Sequence, residues 1–111
     1  MDHEFDELKR EFLAEAETKI QEIGQVTEKI SEANLTESVD RAAYLAHQLK
    51  GAGGSYGFQK ISTEAASFEK ALERIPAEGL EPVRTALKSC VDNLSGEVAL
   101  RIKELSISPV S

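Results

Sequence analysis

The sequence predicts an all-α domain, an antiparallel up-down-up-down four-helix bundle. Four stretches carry apolar residues at helical spacing. Short connections marked by Gly and Pro separate them, which favours antiparallel neighbours. Aromatics make up only 5% of the chain and Trp is absent, which suits aliphatic helix packing better than a sandwich or barrel. No strand pattern and no internal repeat competes.

The first helix is expected from about Asp2 to Ala33. Phe5, Leu8, Phe12, Ala16, Ile20, Ile23 and Ile30 recur on one face, and Asp2, Glu4, Asp6 and Glu7 lie near the start, where negative charge suits the helix dipole. Asn34 followed by Glu37 resembles a capping box opening the second helix, with Thr36 as a rival cap. That helix runs to Ser55 or Tyr56, and Gly57 is its expected stop. The third helix carries Ile61, Ala65, Phe68 and Leu72 on one face and is broken by Pro76 and Gly79. Pro82 suits the first turn of the fourth, whose stripe is Val83, Leu87, Cys90, Val91, Leu94, Val98, Ile102 and Leu105. Residues 1–105 are expected to form one domain and 106–111 a frayed tail.

Charge and composition narrow the function. The 111 residues suit a single domain. The formal charge of −7 and a pI near 4.9 argue against nucleic acid or an anionic membrane surface as the main partner. The single Cys90 excludes an internal disulfide framework and fits a reducing compartment. Two His and one Cys leave little for a structural zinc site, so no metal is expected. No stretch reaches membrane-span length, and the acidic start, MDHEFDELKREF, lacks a signal-peptide core. A cytoplasmic monomer is expected.

One histidine stands out. With His47 at 0° on a helical wheel, Ala42, Leu45, Leu49, Ala52 and Tyr56 fall between roughly 140° and 220°. His47 therefore stands opposite the core stripe, on the solvent side of mid-helix. Lys50, Gly51 and Gly54 share its side, and Tyr44 lies about 60° away as an apolar rim. Each glycine inside a helix costs about 1 kcal/mol relative to Ala. A face stripped of side chains, open to another protein, would offset that cost; so would tight helix packing, and Gly53 lies nearer the core edge. Imidazole is a good nucleophile near neutral pH, and Lys50 could neutralise an anion on the ring. A surface histidine without function, and a glycine-rich phosphate loop, are the alternatives. The second lacks the Gly-Lys-Ser/Thr and the preceding strand that such loops need.

The segment His47-Gln48-Leu49-Lys50-Gly51-Ala52-Gly53-Gly54-Ser55-Tyr56-Gly57 resembles the signature of histidine-containing phosphotransfer (HPt) domains, H-x-L-K-G followed after five residues by Gly. The resemblance continues through Phe68-Glu69-Lys70-Ala71-Leu72 and, in helix order, over nearly the whole chain. It implies a four-helix bundle in which His47 is phosphorylated on Nε2, Lys50 assists the phosphoryl group, and Gly51 keeps the face open to a receiver domain. It also implies that Glu69, 22 residues after the histidine, hydrogen-bonds Nδ1. Such a bond would fix the tautomer and leave the Nε2 lone pair outward. Glu73 stands where some members carry Arg, so no second cation is carried over there; Lys70 and Arg74 lie nearby.

The expected function is that of a phosphorelay intermediate. His47 takes a phosphoryl group from one receiver-domain aspartate and hands it to another, helped by Lys50 and Glu69. Tyr44, Gln48, Gly51, Gly54 and Gly57 are the expected partner-binding residues. Response-regulator receiver domains are the expected partners, and a hybrid histidine kinase a further one. No nucleotide-binding element is present, so no kinase activity is expected. The chain needs no cofactor of its own; Mg²⁺ belongs to the partner receiver. A helical protein–protein adaptor without phosphate chemistry is the alternative.

Overall fold

The computed structural model describes residues 3–106, and among these the chain is helical with no strand. The helices are α1 (His3–Lys29), α2 (Leu35–Ser55), α3 (Gln59–Glu73), the single turn α4 (Ile75–Glu78) and α5 (Leu80–Ser106), with a 3₁₀ turn at Glu32–Asn34. They form a helical bundle in which α1 packs against α2 and α5, and α3 packs against α2 and α5. The expected tail lies outside the described residues except for Ser106, the last residue of α5.

Each connection has a local cause. After Lys29, Ser31 adopts an extended conformation (φ −148°, ψ 173°) that stops α1. The Asn34–Glu37 capping box does not form. Asn34 Oδ1 instead turns back to accept from the Ser31 backbone N–H at 2.8 Å and from Ser38 Oγ at 3.1 Å. The preceding 3₁₀ turn, not visible as an apolar period, takes that oxygen for its own unpaired donor. At the end of α2, Phe58 N–H bonds the Gly53 carbonyl at 2.8 Å and Gly57 N–H bonds that of Gly54 at 3.2 Å. This is a Schellman motif, and it requires the left-handed conformation that Gly57 takes at φ +83°. Gly79 ends α4 differently, with its N–H on the Ile75 carbonyl at 2.8 Å and an extended backbone at positive φ (φ +93°, ψ 158°) that favours glycine.

Leu13, Ile23, Leu49, Ile61, Phe68, Val83, Leu87, Leu94 and Val98 are fully buried, and Ala42, Leu45, Ala65 and Leu72 join them, while Ala52 and Tyr56 of the expected α2 stripe are only partly buried at its end. Phe5 and Leu8 depart from expectation: each is 45% exposed. The reason is where the α2–α3 corner lies. Phe12 stacks on Tyr56 and Phe58 there, with ring centroids 5.3 and 5.8 Å away. The turns of α1 before Phe12 run past that corner and lose its cover, although Phe5 still leans on Tyr56 at 6.1 Å. Cys90 is half-buried against the core; burial first, and the charge of Glu64 second, push its thiol above the ordinary cysteine range.

Arg84 of α5 ties the far end. Its guanidinium donates to the carbonyls of Thr27 at 2.6 Å and Ile30 at 2.7 Å, which the end of α1 would otherwise leave unpaired. Glu81 holds the same guanidinium through two bonds of 3.0 and 2.9 Å, and this lowers the Glu81 pKa. Thr27 itself is buried, and its Oγ1 has no hydrogen-bond partner among the described residues.

Two stability outcomes follow from this packing. Leu49→Ala removes a fully buried side chain and should cost about 2–5 kcal/mol in chemical denaturation. Thr27→Val should do the reverse, gaining about 1 kcal/mol, because it replaces an unpaired buried hydroxyl by a methyl group. A loss of stability in Thr27→Val would mean that the hydroxyl is paired in solution.

Candidate functional site

The site is built on the seam between α2 and α3. On α2, Leu45, Ala46, Leu49 and Gly53 turn inward, and this orients the opposite face to solvent. His47 stands there with 70% of its side chain exposed. On α3, Phe68 is fully buried, and the next residue, Glu69, emerges at the seam with 21% of its side chain exposed.

The carboxylate of Glu69 faces two partners. Its Oε1 lies 2.8 Å from Lys50 Nζ, and its Oε2 lies 3.5 Å from His47 Nδ1. The first is a charge-assisted hydrogen-bond distance; the second is longer than an N–H···O bond. Glu69 thus stands beside His47, but the Nδ1 hydrogen bond that the resemblance implied is not made in this geometry, and its close contact is with Lys50. The cause is local geometry. Lys50 sits three residues beyond His47 on one helix face, within reach of the same carboxylate. Among the described residues, no hydrogen bond or ion pair reaches Nε2.

The glycines divide by role. A side chain at Gly51 would meet nothing within 4 Å, so the surface beside His47 and Lys50 is open. Gly54 is also exposed, and Ser62 Oγ lies 3.7 Å from where its Cβ would be, an ordinary contact. Gly53 differs: a Cβ there would lie 3.3 Å from the Ser62 backbone nitrogen and 3.4 Å from the Phe58 carbonyl oxygen. The start of α3 approaches α2 closely there. Gly57 lies nearly three turns along from His47, at the end of α2, and its conformation accounts for it as a helix stop.

Tyr44 is 54% exposed, and its hydroxyl accepts from Gln48 Nε2 at 2.8 Å. The Arg41 guanidinium lies 5.8 Å from the Tyr44 ring centroid and makes two bonds to Glu22 of α1, at 2.6 and 3.0 Å. That pairing lowers the Glu22 pKa, through the hydrogen bond chiefly. Sequence reasoning did not single out Arg41, nor Ser62, whose Oγ donates to the Lys50 carbonyl at 2.8 Å and pins α3 to the site. Periodicity carries no signal for either, because each works across a helix pair. Arg74, a nearby cation, is engaged by Glu78 at 3.0 Å. Among the described residues, no three His, Cys, Asp or Glu side chains are grouped so as to hold a metal ion, and no helix is long and apolar enough to cross a membrane.

An exposed imidazole with a carboxylate near Nδ1, an ammonium one turn away and an uncluttered approach is chemically suited to nucleophilic attack through Nε2 on a phosphorus carried by another protein. No curated protein matches the chain, and no solved structure matches it. The family model for the Hpt domain matches residues 7–97, a span that contains His47, Lys50, Gly51, Gly57 and Glu69. Members of this family are phosphotransfer modules that interact with response-regulator receiver domains and kinases. The chain belongs to the Hpt domain family, with a phosphorelay role in two-component signalling.

Proposed function

We propose that His47 is the phosphoacceptor, taking a phosphoryl group from a receiver-domain aspartate on Nε2 and passing it to the aspartate of another receiver. In the first transfer the P–O bond of the aspartyl phosphate breaks, the aspartate leaves as carboxylate, and the Nε2 lone pair forms the new P–N bond; the second transfer is the reverse. The observation that carries this reading is the exposure of His47 with Nδ1 turned to Glu69 and the surface at Gly51 bare. Lys50 neutralises charge on the phosphoryl oxygens, and Glu69 orients the ring. Phosphoryl transfer depends on positioning and charge stabilisation, so a module with a nucleophile, a cation and an open approach suffices when the receiver brings Mg²⁺.

The receiver docks over α2, with Tyr44 and Gln48 at the rim and Gly51 and Gly54 beneath it. We read the bundle as antiparallel, up-down-up-down, and residues 1–105 as one domain. Two contacts support that arrangement: the start of α1 meets the end of α2 through Phe12 and Tyr56, and the end of α1 meets the start of α5 through Arg84. The same reading sets the module in the cytoplasm, with its receivers.

Incubation with a receiver domain charged by radiolabelled acetyl phosphate tests the reading. Acid-labile, alkali-stable label should appear on the protein. His47→Gln should keep the helical circular dichroism spectrum and lose the label; label persisting on that variant would place the acceptor elsewhere. A wild-type chain that binds the receiver but takes no label would make it an adaptor. Gly51→Gln should slow transfer by about tenfold to a hundredfold, the range expected when the reacting groups are displaced by about 1 Å. The same variant should be more stable than the parent in denaturation, since Gly51 has free space around it and a helix interior disfavours glycine. Unchanged transfer kinetics would refute the open-face assignment.

A further inference from the structure

The Lys50–Glu69 contact sets up a competition for the ammonium once His47 carries a phosphoryl group. Lys50 Nζ is on Glu69 Oε1 at 2.8 Å, and the other oxygen of that carboxylate lies nearest the ring, 3.5 Å from Nδ1. The unmodified imidazole offers Lys50 no anion, so Glu69 is the partner at hand. Once Nε2 carries a phosphoryl group, two anions flank the same ring: a carboxylate on the Nδ1 side and a phosphoryl dianion on the other. Lys50, one turn from His47 on the same helix face, is the ammonium for which both compete.

We propose that Lys50 changes partner on phosphorylation, from Glu69 in the resting protein to the phosphoryl oxygens, and that Glu69 acts as the competing counter-ion that keeps the phosphohistidine easily discharged. This deepens the assignment of His47 as acceptor and rests on it. Glu69 is then a positioning residue acting through Lys50, a role distinct from hydrogen-bonding Nδ1. The geometry favours an exchange. The pair is partly exposed, with 39% of the Lys50 side chain and 21% of the Glu69 side chain accessible, so water screens the attraction and the ammonium is not trapped. Lys50 has a flexible four-carbon stem, whereas its backbone is fixed by the Ser62 bond to its carbonyl at 2.8 Å. The swing is therefore confined to the side chain. Glu69 also opposes the modified state directly, as a like charge near the phosphoryl group. Both effects leave the modified state less stable relative to the resting one, which suits a group that must be handed on.

The test uses phosphoramidate as donor, so no cognate receiver is needed. Its P–N bond breaks, ammonia leaves, and the Nε2 lone pair of His47 forms the new P–N bond while Nδ1 keeps its proton. Phosphohistidine lifetime is then measured after removal of the donor for the parent, Glu69→Gln, Lys50→Met and the double variant. Glu69→Gln should lengthen the lifetime roughly two- to fivefold, the range set by an exposed ion pair. In the Lys50→Met background the same change should have a distinctly smaller effect, because no ammonium is left to release. An equal factor in both backgrounds, or no factor in either, overturns the exchange. Nitrogen-15 NMR of the Lys50 ammonium gives a readout that a merely structural role would not move. Glu69→Gln should shift the resonance in the resting protein, and the parent and variant should converge once phosphorylated. A Lys50 resonance indifferent to phosphorylation also overturns it. Absence of phosphohistidine at residue 47 in the parent is a different failure, that of the acceptor assignment itself.

Discussion

The close approach of α3 to α2 at Gly53 is the constraint on which the site depends. With no side chain there, the Ser62 backbone and the Phe58 carbonyl come within 3.4 Å of where a Cβ would be. Ser62 then reaches the Lys50 carbonyl, Ile61 enters the core, and the register of α3 brings Glu69 out opposite His47 and Lys50. The cost is a weakened helix: three glycines in four residues, Gly51, Gly53 and Gly54, each disfavoured by about 1 kcal/mol. Gly53 answers to packing and Gly51 to access. A single short segment therefore combines close packing with the open face on which the proposed docking rests.

The rest of the bundle keeps that seam still. Arg84 closes the end remote from the Phe12–Tyr56–Phe58 stack by supplying donors to the carbonyls that α1 leaves open. Arg41 braces α2 against α1 through Glu22, beside the Tyr44 ring. None of these contacts touches the imidazole, yet they hold the helix that carries it. Phosphoryl transfer between two proteins rewards such stiffness, because its rate depends on alignment more than on elaborate covalent chemistry in the acceptor.

Much of this was legible in the chain because it is local. The exposure of His47, the shared face of Lys50 and Gly51, and the stop at Gly57 all follow from spacing within one helix. The burial of Leu49, Phe68, Leu87 and Leu94 follows from periodicity. What was not legible depends on pairs of helices. The exposure of Phe5 and Leu8 depends on where the α2–α3 corner ends. The hold of Arg84 on α1 spans 54 to 57 residues, and no local pattern announces it. Asn34 departs from its expected capping role because the 3₁₀ turn before α2 has its own use for the oxygen. At the site, the resemblance implied a bond from Glu69 to His47 Nδ1 but could not tell that Lys50 would take the close contact with that carboxylate.

The central claim is that the imidazole of His47 stands with Nδ1 on the Glu69 side and Nε2 free to react. Long-range proton–nitrogen correlation NMR of the phosphorylated protein, with its histidines nitrogen-15 labelled, tests this most directly. The account predicts phosphorus coupling to a single ring nitrogen, Nε2 of His47. Coupling at Nδ1, or at no nitrogen of residue 47, would contradict it.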